Sequence, residues 1–244
     1  MWVWLSLALA SEPDPAAIRV DLDRCKAHLD THGRFNFAWS DDEVAALAAG
    51  ELVKRRERLD GADRVLGAMW SPVSVTELWL SVMDEEHWGG VEGLIEERLP
   101  GSTYTDKILY QRFDLPWPFK DRQYVLRIRN NLPLKAESEN RCWERYWELS
   151  DQRGAKAEVE DGIWVPVNDG GWMLAEAGGG SLLVYHVRAV IGGGIPDELA
   201  TQWSLGTLRG MMDDLVARSR EVRGHYTAGH GPILAPDGTE LPRY

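Results

Sequence analysis

Strand-like segments at 92–98, 105–113, 123–131, 141–149, 161–167, 171–177 and 181–191 run one after another, and a single long helix over 196–222 follows them. Turn signals separate the strands, among them Pro100-Gly101, Asn168-Asp169-Gly170 and Gly178 to Gly180. Strands joined by short turns pair with their neighbours antiparallel. The helix begins where Gly192 to Gly194 break the last strand and Pro196 enters the first helical turn. Leu205, Leu208, Met212, Leu215, Ser219 and Val222 form its stripe, with Met211 and Val216 beside it. One apolar stripe must bury itself against one large sheet, so the sheet has to curve around the helix. This is an α+β layer architecture.

Upstream, Ile18, Leu22, Cys25 and Leu29 recur at helical spacing over 14–30. A second helix over 41–49 opens on Ser40-x-x-Glu43, a capping box, and stops at Gly50. The period then changes to two. Segments 51–58 and 63–70 flank Asp60-Gly61, a hairpin signal. Ser74-x-x-Glu77 caps a further short helix with Val75, Leu78, Trp79 and Val82 on one face. After Gly224 the chain is rich in Gly and Pro and has no period. The expected organisation is one domain over 14–222 and an irregular tail, 223–244, that is a surface strap or disordered.

The stretch DLPWPFKDRQYVLRI, 114–128, carries more than turn chemistry. Pro116 and Pro118 fix their own φ and push Leu115 and Trp117 into extended geometry, which makes a stiff hairpin tip. Pro118, Arg122, Tyr124 and Val125 resemble the P-x-x-x-R-D-F/Y-V segment of START (StAR-related lipid-transfer) domains, with Gln123 where that segment carries Asp. Gly193, Gly194, Ile195 and Pro196 resemble the START ending, in which a strand runs into G-G-x-I-P and the long helix. Together with the element order, the resemblance covers about residues 40–222. It implies the helix-grip fold shared with Bet v 1-like and polyketide-cyclase relatives: a curved antiparallel sheet wrapped around a long C-terminal helix, with a ligand cavity between them.

Composition narrows the partners. A net charge of −12 argues against nucleic acid, which needs a basic footprint, and limits membrane contact to transient encounters. Twelve Trp residues spread along the chain either fill a core or line an apolar cavity. Residues 2–10, WVWLSLALA, form an uncharged apolar run ending in the A-x-A pattern of Ala8 and Ala10. The run reads as an export signal over 1–10, cut short of its basic start; the alternative is a packed apolar N-terminus in a cytoplasmic protein. Export would permit a Cys25–Cys142 disulfide, but two buried free thiols are the simpler reading.

Catalytic patterns are sparse. The six His residues show no metal-ligand spacing beyond His28 and His32, which share a helix face best read as solvated. No G-x-S-x-G occurs, and the glycine runs lack phosphate-loop context. No cofactor and no metal are implied. What remains is the cavity. Alternation sets Tyr124, Leu126 and Ile128 on the inner face, opposite Arg127 and Arg129. It also sends Tyr110 and Arg112 inward, with Arg112 either meeting a ligand's polar group or reaching water at the strand end. Leu208, Met211 and Met212 from the helix complete the expected lining, with Trp172, Leu174 and Tyr185 from the strands. Charge on both faces of RCWERYWEL marks that strand as an edge or the cavity rim. The reading is a monomer that binds one hydrophobic ligand, a lipid or sterol-like molecule, and carries no covalent chemistry. An aromatase/cyclase-type enzyme is the alternative, with Tyr110, Arg112, Tyr185 and His186 as its nearest proton-transfer groups. A ligand-free interaction domain is the third. Gly192 to Gly194 are the expected hinge for ligand entry, and Trp88-Gly89-Gly90 is the second candidate door.

Overall fold

A computed structural model of the chain describes residues 13–84 and 93–244. The apolar run over 2–10 and the loop at Trp88-Gly89-Gly90 lie outside the described residues. Two helices open the chain, α1 (Pro15–His32) and α2 (Asp41–Ala48), followed by β1 (Val53–Leu59), β2 (Ala62–Ser71) and α3 (Val75–Met83). Then come β3 (Leu94–Arg98), β4 (Asp106–Phe113), β5 (Arg122–Asn130), α4 (Leu132–Glu137) and β6 (Cys142–Leu149). The remainder is β7 (Ile163–Trp164), β8 (Val167–Ala177), β9 (Gly180–Val190), α5 (Asp197–Ser219) and α6 (Val222–His225). The sheet has nine strands in the order β1-β2-β9-β8-β6-β5-β4-β3; all these pairs are antiparallel, and β7 adds two residues parallel to β5.

Local sequence sets the helix ends. Asp14 caps α1 by accepting from the Ala16 N–H, and both Ser40/Glu43 and Ser74/Glu77 form complete capping boxes. Strand alternation then sorts side chains onto two covered faces. On the concave side Val65, Leu174 and Leu183 pack with Trp79 and Trp143 under Leu208, Met212 and Leu215 of α5. On the convex side Leu66, Met173, Leu182 and Val184 pack under Ile18, Leu22, Leu29, Val44 and Leu47 of α1 and α2. Cover on both faces explains why β9 reads as the nearly continuous apolar run SLLVYHV. Cys25 of α1 and Cys142 of β6 are joined by a disulfide, Cα to Cα 5.9 Å, so the free-thiol reading is corrected.

Other expectations are corrected as well. Asn168-Asp169-Gly170 is not a turn but lies inside β8, continuous from Val167 to Ala177. Gly170 is there because a Cβ would collide with the Trp147 ring and the His186 carbonyl of the flanking strands. The strand expected over 161–167 shrinks to β7, and α4 intervenes after β5, where the Asn131 side chain accepts from the Leu134 N–H. β6 is not an edge strand, since it sits mid-sheet between β8 and β5, but its Arg145 and Trp147 do border a hollow. The tail is ordered by packing, not disordered. Tyr226, Ile233, Ala235 and Leu241 are buried in the concave core, and the Tyr226 hydroxyl accepts from the Ile233 N–H at 2.9 Å.

Candidate ligand site beneath the C-terminal helix

Helix α5 does not sit centrally over the sheet. It packs on β2 and α3, and Gly67 of β2 lets it come close: a Cβ there would fall 2.6 Å from Leu208 Cδ2. The opposite wing, β3 to β6, is therefore left partly uncovered on its concave side. One hollow occupies that gap, and a second lies beside it under the start of α5, over β2, β9 and β5. The larger, about 310 Å³, lies between Met211, Val82 and Met83 on the helical side and Leu109, Leu126, Ile128, Trp147, Trp172 and Tyr185 on the sheet. Glu96, Lys107, Gln111 and Arg145 edge it. The smaller, about 170 Å³, lies at the start of α5 between Ala200, Thr201 and Trp203 and the strand residues Val65, Tyr124, Val187 and Ala189. Phe113, Leu115, Val165 and Ile191 close its sides, and Asp63, Arg122 and Asn168 supply its polar groups. Tyr124 and Leu126 are successive inward positions of β5, so the two hollows follow each other along one strand.

Six of the expected lining residues stand here. Tyr124, Leu126, Ile128, Trp172, Tyr185 and Met211 line the two hollows. Leu174, Leu208 and Met212 face the same side but are packed solid beneath α5 and α3, so they support the wall and do not line it. Tyr110 and Arg112 are corrected outright. Ladder partners share a face, and the register pairs Tyr110 with Val125 and Arg112 with Gln123, whereas Leu109 pairs with Leu126. Tyr110 and Arg112 thus point to the convex side, where segment 151–162 covers them. Tyr110 donates to Gln123 Oε1 at 2.9 Å, and Arg112 donates to the Ala157 carbonyl and to Asp114.

The residues missed by sequence reading include Lys107, Leu109 and Gln111, Arg122, Trp147 and the β9 continuation Val187, Ala189 and Ile191. The β9 set was available by carrying Tyr185's alternation forward. The β4 set needed the β4–β5 register, which the eight-residue connection 114–121 hides.

The tyrosines that line the hollows stay uncharged. The Trp172 and Tyr185 rings sit 4.6 Å apart and Trp147 lies 5.9 Å from Tyr185. Burial among these rings pushes the Tyr185 phenol up to about 12, and burial raises Tyr124 further. Both stay neutral and uncharged around neutral pH. His186, the next residue, faces the other way. It is buried between Phe35 and Phe37, ring centroids 3.7 and 5.6 Å away, and burial with the nearby Arg64 charge holds its pKa well below the ordinary value. The four groups of the cyclase alternative are therefore split by the sheet, with Tyr185 on one side and Tyr110, Arg112 and His186 on the other. A third hollow, about 440 Å³, opens on the convex side at Arg34, Arg64 and Arg188. Its charges are largely satisfied among themselves: Arg188 pairs with Asp169 at 2.7 Å and Asp60 at 3.2 Å, and Arg64 lies 3.6 Å from Asp169.

Solved structures with the same arrangement are found. Human STARD10 superimposes with a TM-score of 0.54 at 13% identity, over 79% of this chain and 84% of that one. The fold is the START-like helix grip. The STAR-related lipid transfer protein of Xanthomonas axonopodis matches this START-like chain with a TM-score of 0.51 at 18% identity, over 70% of it and 98% of the relative. Human StAR-related lipid transfer protein 5 gives 0.50 at 10% identity, over 85% and 99%. No protein-family model and no curated protein sequence matches the chain.

Proposed function

We propose that this START-like protein binds one hydrophobic ligand, of lipid or sterol type, in the gap between α5 and the β3–β6 wing, and passes it to and from membranes. The observation that carries the reading is the off-centre helix. It leaves two successive hollows walled largely by Trp, Tyr, Phe, Leu, Ile and Val on the concave face. Solved neighbours that carry lipid-transfer names support it. Burial of a ligand there is worth roughly 0.8 kcal/mol per CH₂, so a chain of about fifteen methylenes, about 12 kcal/mol, is what reaches micromolar affinity after about 4 kcal/mol of association cost. The buried tyrosines orient and shield, and no proton-transfer step is assigned to them.

The mouth of the smaller hollow bears exposed apolar side chains. Trp117 is 93% exposed and Trp203 67%, with Leu199 and Phe119 also exposed. Leu115 and Trp203 line that hollow, so the exposed tip 116–119 and the first turns of α5 flank one opening. Aromatic rings of this kind settle at a headgroup layer without needing anionic lipid, which suits a chain of net charge −12. The protein works as a monomer in this reading. The run WVWLSLALA and the Cys25–Cys142 bridge support an exported location. Displacement of an environment-sensitive fluorescent fatty probe by unlabelled lipids tests the binding step. Saturable 1:1 displacement that weakens at least about tenfold in Trp172→Ala is expected, and no saturable binding by the wild type would overturn the reading.

A further inference from the structure

We infer that the ligand carries one compact anionic head, a carboxylate, and that Arg122 receives it in the smaller hollow; this rests on the apolar-ligand reading above. Arg122 opens β5 and is only 3% exposed. Its Nε donates to the Ile191 carbonyl at 2.8 Å, its Nη2 to the Gly192 carbonyl at 3.1 Å and its Nη1 to the Lys120 carbonyl. Every one of these acceptors is neutral. A guanidinium has five N–H groups, so three bonds leave two, one on Nη1 and one on Nη2. Among the described residues no carboxylate forms an ion pair with Arg122. Its sequence neighbour Asp121 is engaged elsewhere, accepting from the Leu115 N–H at 3.2 Å and lying 3.7 Å from Arg112.

The other acid of the hollow cannot serve either. Asp63 accepts from Arg56, Arg58 and Thr201, so two cations already compensate it. The hollow thus holds one cation with no carboxylate bound to it, the Asp121 charge acting on it only from a distance, walled by Phe113, Val165, Val187, Ile191 and Trp203. A buried cation without a counter-charge is costly, and burial accordingly weakens the hold of Arg122 on its proton. A ligand carboxylate would turn that cost into a charge-assisted pair, and its two oxygens match the two unspent N–H groups. The alkyl part then has the apolar wall of this hollow and the next one along β5.

The test compares decanoate with decanol at neutral pH by isothermal titration on the wild type, Arg122→Gln and Arg122→Lys. The wild type should bind decanoate about tenfold or more tighter than decanol, the scale of one charge-assisted contact. Arg122→Gln should bring the two within about twofold by weakening decanoate far more than decanol, and decanol binding that is still measurable shows that the hollow survives. Arg122→Lys keeps the charge and should retain a preference for decanoate. Equal binding of the two ligands by the wild type overturns the head-group inference and leaves the apolar-ligand reading standing. A decanoate preference that persists in Arg122→Gln overturns it too. Binding of neither ligand overturns both.

Discussion

Tyr110 is buried and Tyr185 half-buried in one sheet, yet they face opposite sides of it, and that difference decides which of them can meet a ligand. Tyr110 spends its hydroxyl on Gln123 and on the Ala157 carbonyl at 3.0 Å. Tyr110→Phe should therefore cost about 1 kcal/mol in chemical denaturation and leave ligand affinity unchanged. Tyr185 instead meets Trp172 and Trp147 in the gap beneath α5. His186 supplies a pH signature. Its folded pKa lies below the ordinary 6.5, so the unfolded chain takes up the proton first. Stability is whole above that value and falls as pH drops through it, by up to about 1.4 kcal/mol per pH unit. Glu144, raised by burial, contributes in the opposite sense as pH falls. Comparing wild type with His186→Leu isolates the histidine: the variant should lose less stability between neutral pH and about pH 5, and equal slopes would contradict the assignment. The inward set of β5 was legible because Arg127 and Arg129 mark the other face. Tyr110 and Arg112 were not, since nothing within KILYQRF says which of two similar faces meets Leu126; only the ladder does.

At the scale of elements, the α5 stripe, both capping boxes and the Asp60-Gly61 hairpin were readable, because each is a local pattern with one structural solution. What was hidden is non-local. The β8 extension through Gly170 depends on the Trp147 ring of the neighbouring strand, and the disulfide depends on α1 lying across the back of the sheet. That bridge closes a loop of 117 residues, so replacing both Cys25 and Cys142 by Ser should lower stability by about 2–4 kcal/mol, read as a shift in denaturation midpoint. The elbow before α5 differs from a free hinge. Gly192, Gly193 and Gly194 all have positive φ, at 66°, 67° and 78°, and Arg122 ties the elbow to β5 through two carbonyls. Alanine there strains the backbone and cannot report on ligand exchange. Gly194, with open space around it, should cost about 1 kcal/mol as Gly194→Ala. Gly193→Ala should cost more, because its Cβ would run into Ile163 and lie 2.7 Å from Arg122 Nη2.

For the whole molecule, the strand order followed by one long helix was enough to reach the curved sheet, because the stripe of that helix needs one concave face to pack against. The sequence does not show that the helix sits off-centre. That follows from α3 and the tail filling one end of the concave face with Trp79, Trp143, Tyr226 and Leu241, which confines the empty volume to the other. The opening beside Trp117 and Trp203 makes a kinetic prediction. The double variant Trp117→Ala, Phe119→Ala, at exposed tip residues that line neither hollow, should slow lipid transfer between zwitterionic vesicles several-fold with little change in equilibrium affinity, and added salt should not reproduce the effect. The most direct measurement of the central claim is native mass spectrometry of the protein isolated from its own host. The account predicts one hydrophobic molecule per chain, released on unfolding and absent or much depleted in Trp172→Ala. A wild-type protein that arrives uniformly empty, and stays empty after incubation with extracted host lipids, would contradict it.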